Sequence, residues 1–285
     1  MSHFAEFHQR SVEQPDAFWR EQAGLIDWKC EPDSICDYSN PPFARWFAGG
    51  TTNLCHNAVD RHLAQRAQQS ALIAVSTETG AERVYTFAEL HREVQRMAAS
   101  LLELGVRKGE RVLIYMPMVA EAVFAMLACA RIGAIHSVVF GGFAAGSLAS
   151  RIEDASPCLV VSADAGSRSG KVLAYKPLLD EAIRLSGHKP AALLLVDRQL
   201  APMSLEPGRD HLWSELRERH LDALVPCEWV DATHPSYTLY TSGTTGKPKG
   251  VQRDTGGYAV ALAASMRHIF CGNAGETFLD RKSVV

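Results

Sequence analysis

The chain has 285 residues, enough to bury a sizeable core in one large domain or two smaller ones. Its 29 lysines and arginines against 32 aspartates and glutamates leave a formal net charge of −3. Nothing global therefore favours nucleic acid or an anionic membrane as a partner, and any anion site must be local. Seven scattered cysteines with no C-x-x-C pair argue against a zinc site or a disulfide framework. Buried, reduced thiols in a cytoplasmic protein are expected instead.

The N-terminus lacks the basic segment and apolar run of a secretion signal. The first sixty or so residues are rich in Trp, Phe and Pro, and Pro41 and Pro42 oppose helix there. They read as short helices and loops that pack aromatics, including Trp28, Phe43 and Trp46, onto the main body. From Ala71 the pattern becomes regular. "ALIAVST" and "VYTF" predict strands, and apolar residues at Leu90, Val94, Met97, Ala98 and Leu101 predict a helix from about Phe87 that ends at Gly105.

Alternating units follow. "RVLIYM" predicts a strand and Val119 to Arg131 a helix; the helix carries Glu121 and Arg131, so it does not read as a membrane span. "AIHSVVF" predicts a strand and about Gly146 to Ala155 a helix. "CLVVSAD" predicts a strand and about Tyr175 to Leu185 a helix, and "AALLLVD" predicts another strand. Strands apolar on both faces, alternating with helices, imply an α/β fold with a mostly parallel sheet covered on both sides. "HLWSELRERH" reads as helical, and "PSYTLYT" as a last strand before a polar loop.

That loop, "YTSGTTGKPKG" from Tyr240 to Gly250, concentrates glycines, hydroxyls and two lysines. Glycines let backbone N–H groups converge on one concavity, hydroxyls add donors, and lysines add charge, so the composition suits a polyphosphate. A surface turn is also rich in Gly, Ser and Thr. Two lysines beside four hydroxyls make that reading the weaker one. The Walker A pattern fails, because Thr241 stands where its first glycine belongs and Pro248 follows Gly246-Lys247. Pro248 also disfavours helix at Lys247, which points to strand–loop–strand geometry with "VQR" returning. "GGFAAG" fails the dinucleotide pattern at Phe143. No H-x-x-x-H pair marks a metal site, and His136, in an apolar strand, reads as a packed residue rather than a base.

"YTSGTTGKPKG" resembles the signature loop of the AMP-forming acyl-CoA synthetases, within the adenylate-forming superfamily. "DYSNPPFARWF", "YMPMVAEAVFAMLACARIGAIHSVVFGGF" and "KGVQRDTGGYAVALA" resemble its short-chain branch, and "QRDTGGYAVAL" leans toward the propionate-using members over the acetate-using ones. The resemblance runs from about Phe4 to about Phe278. It implies a two-step reaction of a short carboxylate, ATP with Mg²⁺, and coenzyme A, and it implies small molecules rather than nucleic acid or membrane as partners.

By resemblance, Thr241, Ser242, Thr244 and Thr245 bring hydroxyls to the ATP phosphates, Gly243 and Gly246 close backbone approach, and Lys247 and Lys249 charge. Arg168, Ser169, Gly170 and Lys171 would contact coenzyme A, although composition alone reads them as a solvated βα loop. Many relatives carry arginine at Lys171, where lysine keeps the charge and loses the planar fork. The glycines of "FGGF", Phe140 to Phe143, either admit the pantetheine arm or a neighbouring loop, or form a plain tight turn.

The resemblance also implies an N-terminal extension over 1–60, part of the AMP-binding domain over 61–278, and a divergent tail over 279–285. The family pattern continues past that point into an Asp-x-Gly-Trp segment and a C-terminal domain. That part would carry the adenylation lysine and an acidic metal-binding residue. The chain is thus expected to be an N-terminal part of the whole, with an open sheet edge and exposed apolar surface.

Overall fold

Three runs of consecutive apolar residues form the centre of the molecule: β1 (Arg111–Met116), with β2 (Ile135–Phe140) beside it, β3 (Leu159–Ala163) and β4 (Ala192–Val196). Every residue of β3 and β4, and all of β1 after Arg111, is buried. A strand buried on both faces must have helices above and below it. The computed structural model describes residues 3–76, 78–168, 170–241 and 249–279.

With β5 (Asp210–Leu212), β6 (Pro235–Thr241) and β7 (Lys249–Asp254), these strands make one seven-stranded sheet in the order β5-β4-β3-β1-β2-β6-β7. All neighbouring pairs are parallel except β6 and β7, which form an antiparallel hairpin. The first two residues of "HLWSELRERH" thus belong to β5, and helix begins only at Trp213.

The expected helices form as α1 (Phe87–Glu103), α2 (Ala120–Arg131), α3 (Ala145–Ala155) and α4 (Tyr175–Leu185). At the start of α1 the Thr86 hydroxyl accepts from the Glu89 N–H, and the Glu89 carboxylate accepts from the Thr86 N–H. Two otherwise orphaned donors are satisfied by this reciprocal cap. α1 packs on α2, and α3 on α4. Right-handed crossovers explain the pairing: β1 to β2 runs one way along the sheet, whereas β2 to β3 and β3 to β4 run the other. The direction reverses between β1 and β3, which is where open α/β sheets leave a crevice at their carboxyl ends.

The segments 70–75 and 82–86 pair as an antiparallel hairpin outside the main sheet. In the N-terminal segment Phe18, Ile26, Ile35 and Phe47 are buried, and Ile26, Ile35 and Phe47 form a second small core with Ala259 and Val260 of the helix Gly256–Ala264. Trp28 and Trp46 pack against that core as expected, but Phe43 does not: it is 70% exposed on a short hairpin strand. Residues 249–253 of β7 are exposed, as are Ile269, Phe270, Phe278 and Leu279, and among the described residues β7 has a strand on one side only, an open edge with apolar surface nearby. Among the described residues no helix is long and apolar enough to cross a membrane.

Candidate functional site

Parallel pairing brings the carboxyl ends of five strands to one edge of the sheet: Met116, Phe140, Ala163, Val196 and Thr241. Both polar segments singled out in the sequence emerge there. Thr241 ends β6 and pairs with Lys249, the first residue of β7, and its hydroxyl donates to the Lys249 carbonyl at 3.5 Å. Two antiparallel strands thus flank residues 242–248, with the returning strand that the sequence predicted beginning at Lys249. Thr241 and Lys249 are both exposed. Ser242, Gly243, Thr244, Thr245, Gly246 and Lys247 lie outside the described residues.

The second segment is not a plain βα loop. Ala165–Arg168 and Lys171–Ala174 pair as a short antiparallel hairpin between β3 and α4, with Arg168 opposite Lys171. Gly170 takes a φ of +76° at its turn, a conformation that favours glycine. Lys171 is exposed, and Ser169 lies outside the described residues. Four-residue strands reading A-G-S-R and K-V-L-A carry too little apolar alternation to mark a hairpin by sequence pattern.

Tyr175, the first residue of α4, ties this hairpin to the "FGGF" turn. Its ring is buried, stands 4.9 Å from that of Tyr115, and lies against both Gly141 and Gly166. A methyl on either glycine would overlap the Tyr175 hydroxyl and come within 2.8 Å or 2.7 Å of its Cζ. The Gly141 position is therefore taken up by a neighbouring side chain, and Gly142 turns the chain at a φ of +118°. Burial, and then the neighbouring Tyr115, push the Tyr175 phenol up to about 12, so it stays neutral near pH 7. The Tyr115 hydroxyl donates to the Phe143 carbonyl at 3.2 Å, closing the turn.

The base of the hairpin is held by residues that no sequence motif marked. Asp164, fully buried, accepts from the N–H groups of Arg198 (3.1 Å), Leu200 (2.7 Å) and Ala201 (3.1 Å), which fixes the loop after β4. From that loop, Arg198 donates through Nη1 to the Ala165 carbonyl at 2.9 Å and pairs through Nη2 with Glu78. The other Glu78 oxygen accepts from the Ser167 N–H at 2.6 Å. Their sequence separations of 89 and 120 left no local signal.

A cleft of about 580 Å³ opens beside Lys249, lined by Arg111, His136, Ser137, Asp154 and Tyr240 among others. The Tyr240 hydroxyl donates to Asp154 at 2.6 Å, and the Arg151 guanidinium lies 4.4 Å from the Phe143 ring centre. Burial, and then this hydrogen bond, raise the Tyr240 phenol well above its ordinary range. His136 stacks on Tyr237 with ring centres 5.6 Å apart, and its Nδ1 is buried without a hydrogen-bond partner. Burial lowers it to about 4, so the ring is neutral near pH 7. It lies in the sheet, half-buried at the wall of the cleft, rather than wholly within the core as the sequence suggested.

Among the described residues, Cys55, Asp60 and Cys227 bring their ligand atoms within 4.8 Å of one another. Arg131, itself 2% exposed, already occupies that cluster: it donates to the two Asp60 oxygens at 2.9 and 2.8 Å and to Cys55 Sγ at 3.4 Å. A fixed guanidinium among the donors supplies the positive charge that a metal would bring. Burial would raise the Asp60 carboxyl, but hydrogen bonds from His91 and Arg131 hold it well below the usual carboxylate range. Of the seven cysteines, Cys55 and Cys129 are buried as expected, Cys36, Cys158 and Cys227 are half-buried, and Cys30 and Cys271 are exposed, against the expectation of buried thiols.

Residues 59–281 match the AMP-binding enzyme family, and residues 4–58 match the acetyl-coenzyme A synthetase N-terminus. The chain is 62% identical over 275 residues to propionate–CoA ligase of Salmonella typhimurium, covering 96% of this chain and 44% of that protein. It is 45% identical over 266 residues to acetyl-coenzyme A synthetase of Streptomyces avermitilis, covering 93% of this chain and 40% of that protein. The fold is similar to that of acetoacetyl-CoA synthetase from Streptomyces lividans, with a TM-score of 0.84 and 29% identity over 94% of this chain and 40% of that one. The chain spans less than half the length of these relatives.

Proposed function

Because this chain belongs to the AMP-binding enzyme family, we propose that it serves the activation of propionate as propionyl-CoA. A propionate oxygen attacks the α-phosphorus of ATP, the bond to the β-phosphate oxygen breaks, and diphosphate leaves. The coenzyme A sulfur then attacks the acyl carbonyl of the adenylate, the bond to the AMP oxygen breaks, and AMP leaves. The observation that carries the reading is 62% identity to a propionate–CoA ligase along 96% of the chain. The corresponding figure for an acetyl-coenzyme A synthetase is 45%, which puts acetate second.

Within this reading the chain divides into an extension over 1–60, an AMP-binding part over 61–278 and a short divergent tail, and it works in the cytoplasm. Thr241, Ser242, Thr244 and Thr245 give hydroxyls, Gly243 and Gly246 backbone N–H groups, and Lys247 and Lys249 charge to the leaving phosphates. Phosphoryl chemistry relies on such positioning and neutralisation. Arg168, Ser169, Gly170 and Lys171 hold coenzyme A on the neighbouring hairpin. Its position supports the assignment, because both segments leave the same sheet edge, where α/β sheets bind ligands. The one group of three candidate metal ligands among the described residues, Cys55, Asp60 and Cys227, does not suit Mg²⁺, because it contains soft thiols and a buried guanidinium. No step is assigned to the metal.

Coverage of 44% of the ligase favours a second reading for the 285 residues taken alone, namely binding of nucleotide and coenzyme A without full turnover. The test is AMP release by this chain with ATP and coenzyme A, comparing propionate with acetate, alongside ATP binding by calorimetry. Faster release with propionate supports the first reading. Binding without release, with Lys249→Ala weakening ATP, selects the second. Neither release nor binding would overturn both.

A further inference from the structure

Nothing in the reaction scheme above uses Glu78 or Arg198, yet both are tied to the candidate coenzyme A hairpin. Glu78 sits in the turn between two strands of a separate hairpin, and Arg198 in the loop that follows β4. Both side chains are largely shielded, at 19% and 10% exposure. Between them they take up three links. Arg198 Nη2 pairs with one Glu78 oxygen, Arg198 Nη1 donates to the Ala165 carbonyl at 2.9 Å, and the other Glu78 oxygen accepts from the Ser167 N–H at 2.6 Å. Ala165 and Ser167 both lie in the first strand of the hairpin.

Hydrogen bonds with a charged partner are stronger than neutral ones, although Glu78 as a whole residue is exposed and water weakens its share. They are also unusual in their target. A two-stranded hairpin of four-residue strands is marginal in water by itself. In this fold it forms its own two-stranded sheet, outside the seven-stranded one. Tyr175 and Asp164 fix its root from within the core. Besides its backbone pairing with Lys171–Ala174, the Ala165–Arg168 strand receives side-chain hydrogen bonds at Ala165 and Ser167 from Arg198 and Glu78.

Resting on the coenzyme A assignment made above, we propose that the Glu78–Arg198 pair is a positioning clamp for that hairpin. It holds the strand ending at Arg168 in the conformation that receives coenzyme A. Its effect on coenzyme A is a population effect: if the hairpin is in the competent conformation a tenth of the time, the apparent dissociation constant rises about tenfold.

The chemistry of each side chain sets a rank order. Glu78→Gln keeps an acceptor for the Ser167 N–H and loses the ion pair. Glu78→Ala loses both. Arg198→Lys keeps a charge and loses the two-pronged reach to Ala165 and Glu78.

The experiment measures coenzyme A binding and ATP binding by calorimetry on the 285-residue chain and these three variants. Hydrogen exchange of the Ala165–Ala174 amides and the urea midpoint are read in parallel. The expected result is coenzyme A affinity lowered about tenfold in Glu78→Ala and less in Glu78→Gln and Arg198→Lys. Faster exchange in the hairpin, unchanged ATP affinity and a nearly unchanged urea midpoint should accompany it. Coenzyme A affinity unaltered in Glu78→Ala overturns the clamp and leaves the coenzyme A reading intact. Equal loss of ATP and coenzyme A affinity also overturns it, since that marks general destabilisation. A wild-type chain that binds ATP but not coenzyme A overturns the coenzyme A reading and the clamp with it.

Discussion

Gly141→Ala tests how the "FGGF" turn is built. A methyl at this position would overlap the Tyr175 hydroxyl, lie 2.8 Å from Tyr175 Cζ and lie 2.9 Å from the Met116 carbonyl oxygen. Ordinary contacts begin at about 3.4 Å, so the methyl would overlap by about 1 Å on the Tyr175 side and about 0.5 Å on the Met116 side. Neither neighbour can yield cheaply. Tyr175 is 3% exposed and stands against Tyr115, and the Met116 carbonyl belongs to the end of a central strand. Gly141 has no positive φ, so alanine would bring no backbone strain to confuse the result. Overpacking of this kind costs about 1–3 kcal/mol.

Gly146→Ala, five residues on, is the matched control. It lies in α3, and a methyl there meets nothing within 4 Å. Glycine to alanine in a helix interior stabilises by about 0.5–1 kcal/mol, and at the second residue of α3 a smaller gain in the same direction is expected. The same chemical change should thus shift the urea midpoint down at 141 and up at 146, with the slope unchanged in both. Adding Tyr175→Phe to Gly141→Ala removes the nearest clashing atom and should recover part of the loss, which a double-mutant cycle reads as coupling. A Gly141→Ala protein as stable as the parent would refute the reasoning, because the close approach of Tyr175 would then not constrain the turn.

Asp60→Ala leaves the Arg131 guanidinium buried and unpaired, and urea unfolding should show a loss of about 3–5 kcal/mol. Because the Asp60 carboxyl is depressed in the folded state, its contribution is present above about pH 4 and disappears as pH falls through the lower folded value. His136 acts in the same direction for the opposite reason. Its folded pKa of about 4 lies below the ordinary value of 6.5, so the unfolded chain takes up a proton between those values that the folded chain refuses. Stability should fall over that window, by at most about 3 kcal/mol, and His136→Phe should flatten the profile of urea midpoint against pH. Thr86→Ala removes the cap of α1 and should cost about 1 kcal/mol by the same assay.

Local chemistry makes much of the molecule legible in the order of its residues. Uninterrupted apolar runs mark β1, β3 and β4 as strands buried on both faces, because only a strand between two helical layers can hide every side chain. The spacing of Leu90, Val94, Met97, Ala98 and Leu101 places α1, and all five are buried. Pro248 disfavours helix at Lys247 and so predicts the return strand that pairs Lys249 with Thr241.

What stays illegible depends on partners remote in sequence. Phe43 has the residue type of a core anchor, but its strand faces solvent. Gly141 reads as a turn residue, and only the fold reveals that Tyr175 requires it to be small. Cys55 and Cys227 are far apart in the chain and meet beside Arg131. Asp164, Glu78 and Arg198 carry no motif, yet together they hold the candidate coenzyme A hairpin.

The division has a physical cause. Periodicity and turn chemistry act over a few residues, so the sequence alone determines which element forms and which of its faces is apolar. Which elements meet is decided by strand order. Only the reversal between β1 and β3, with α4 returning beneath the edge, carries Tyr175 between two glycines and sets the two polar hairpins at the same end of the sheet.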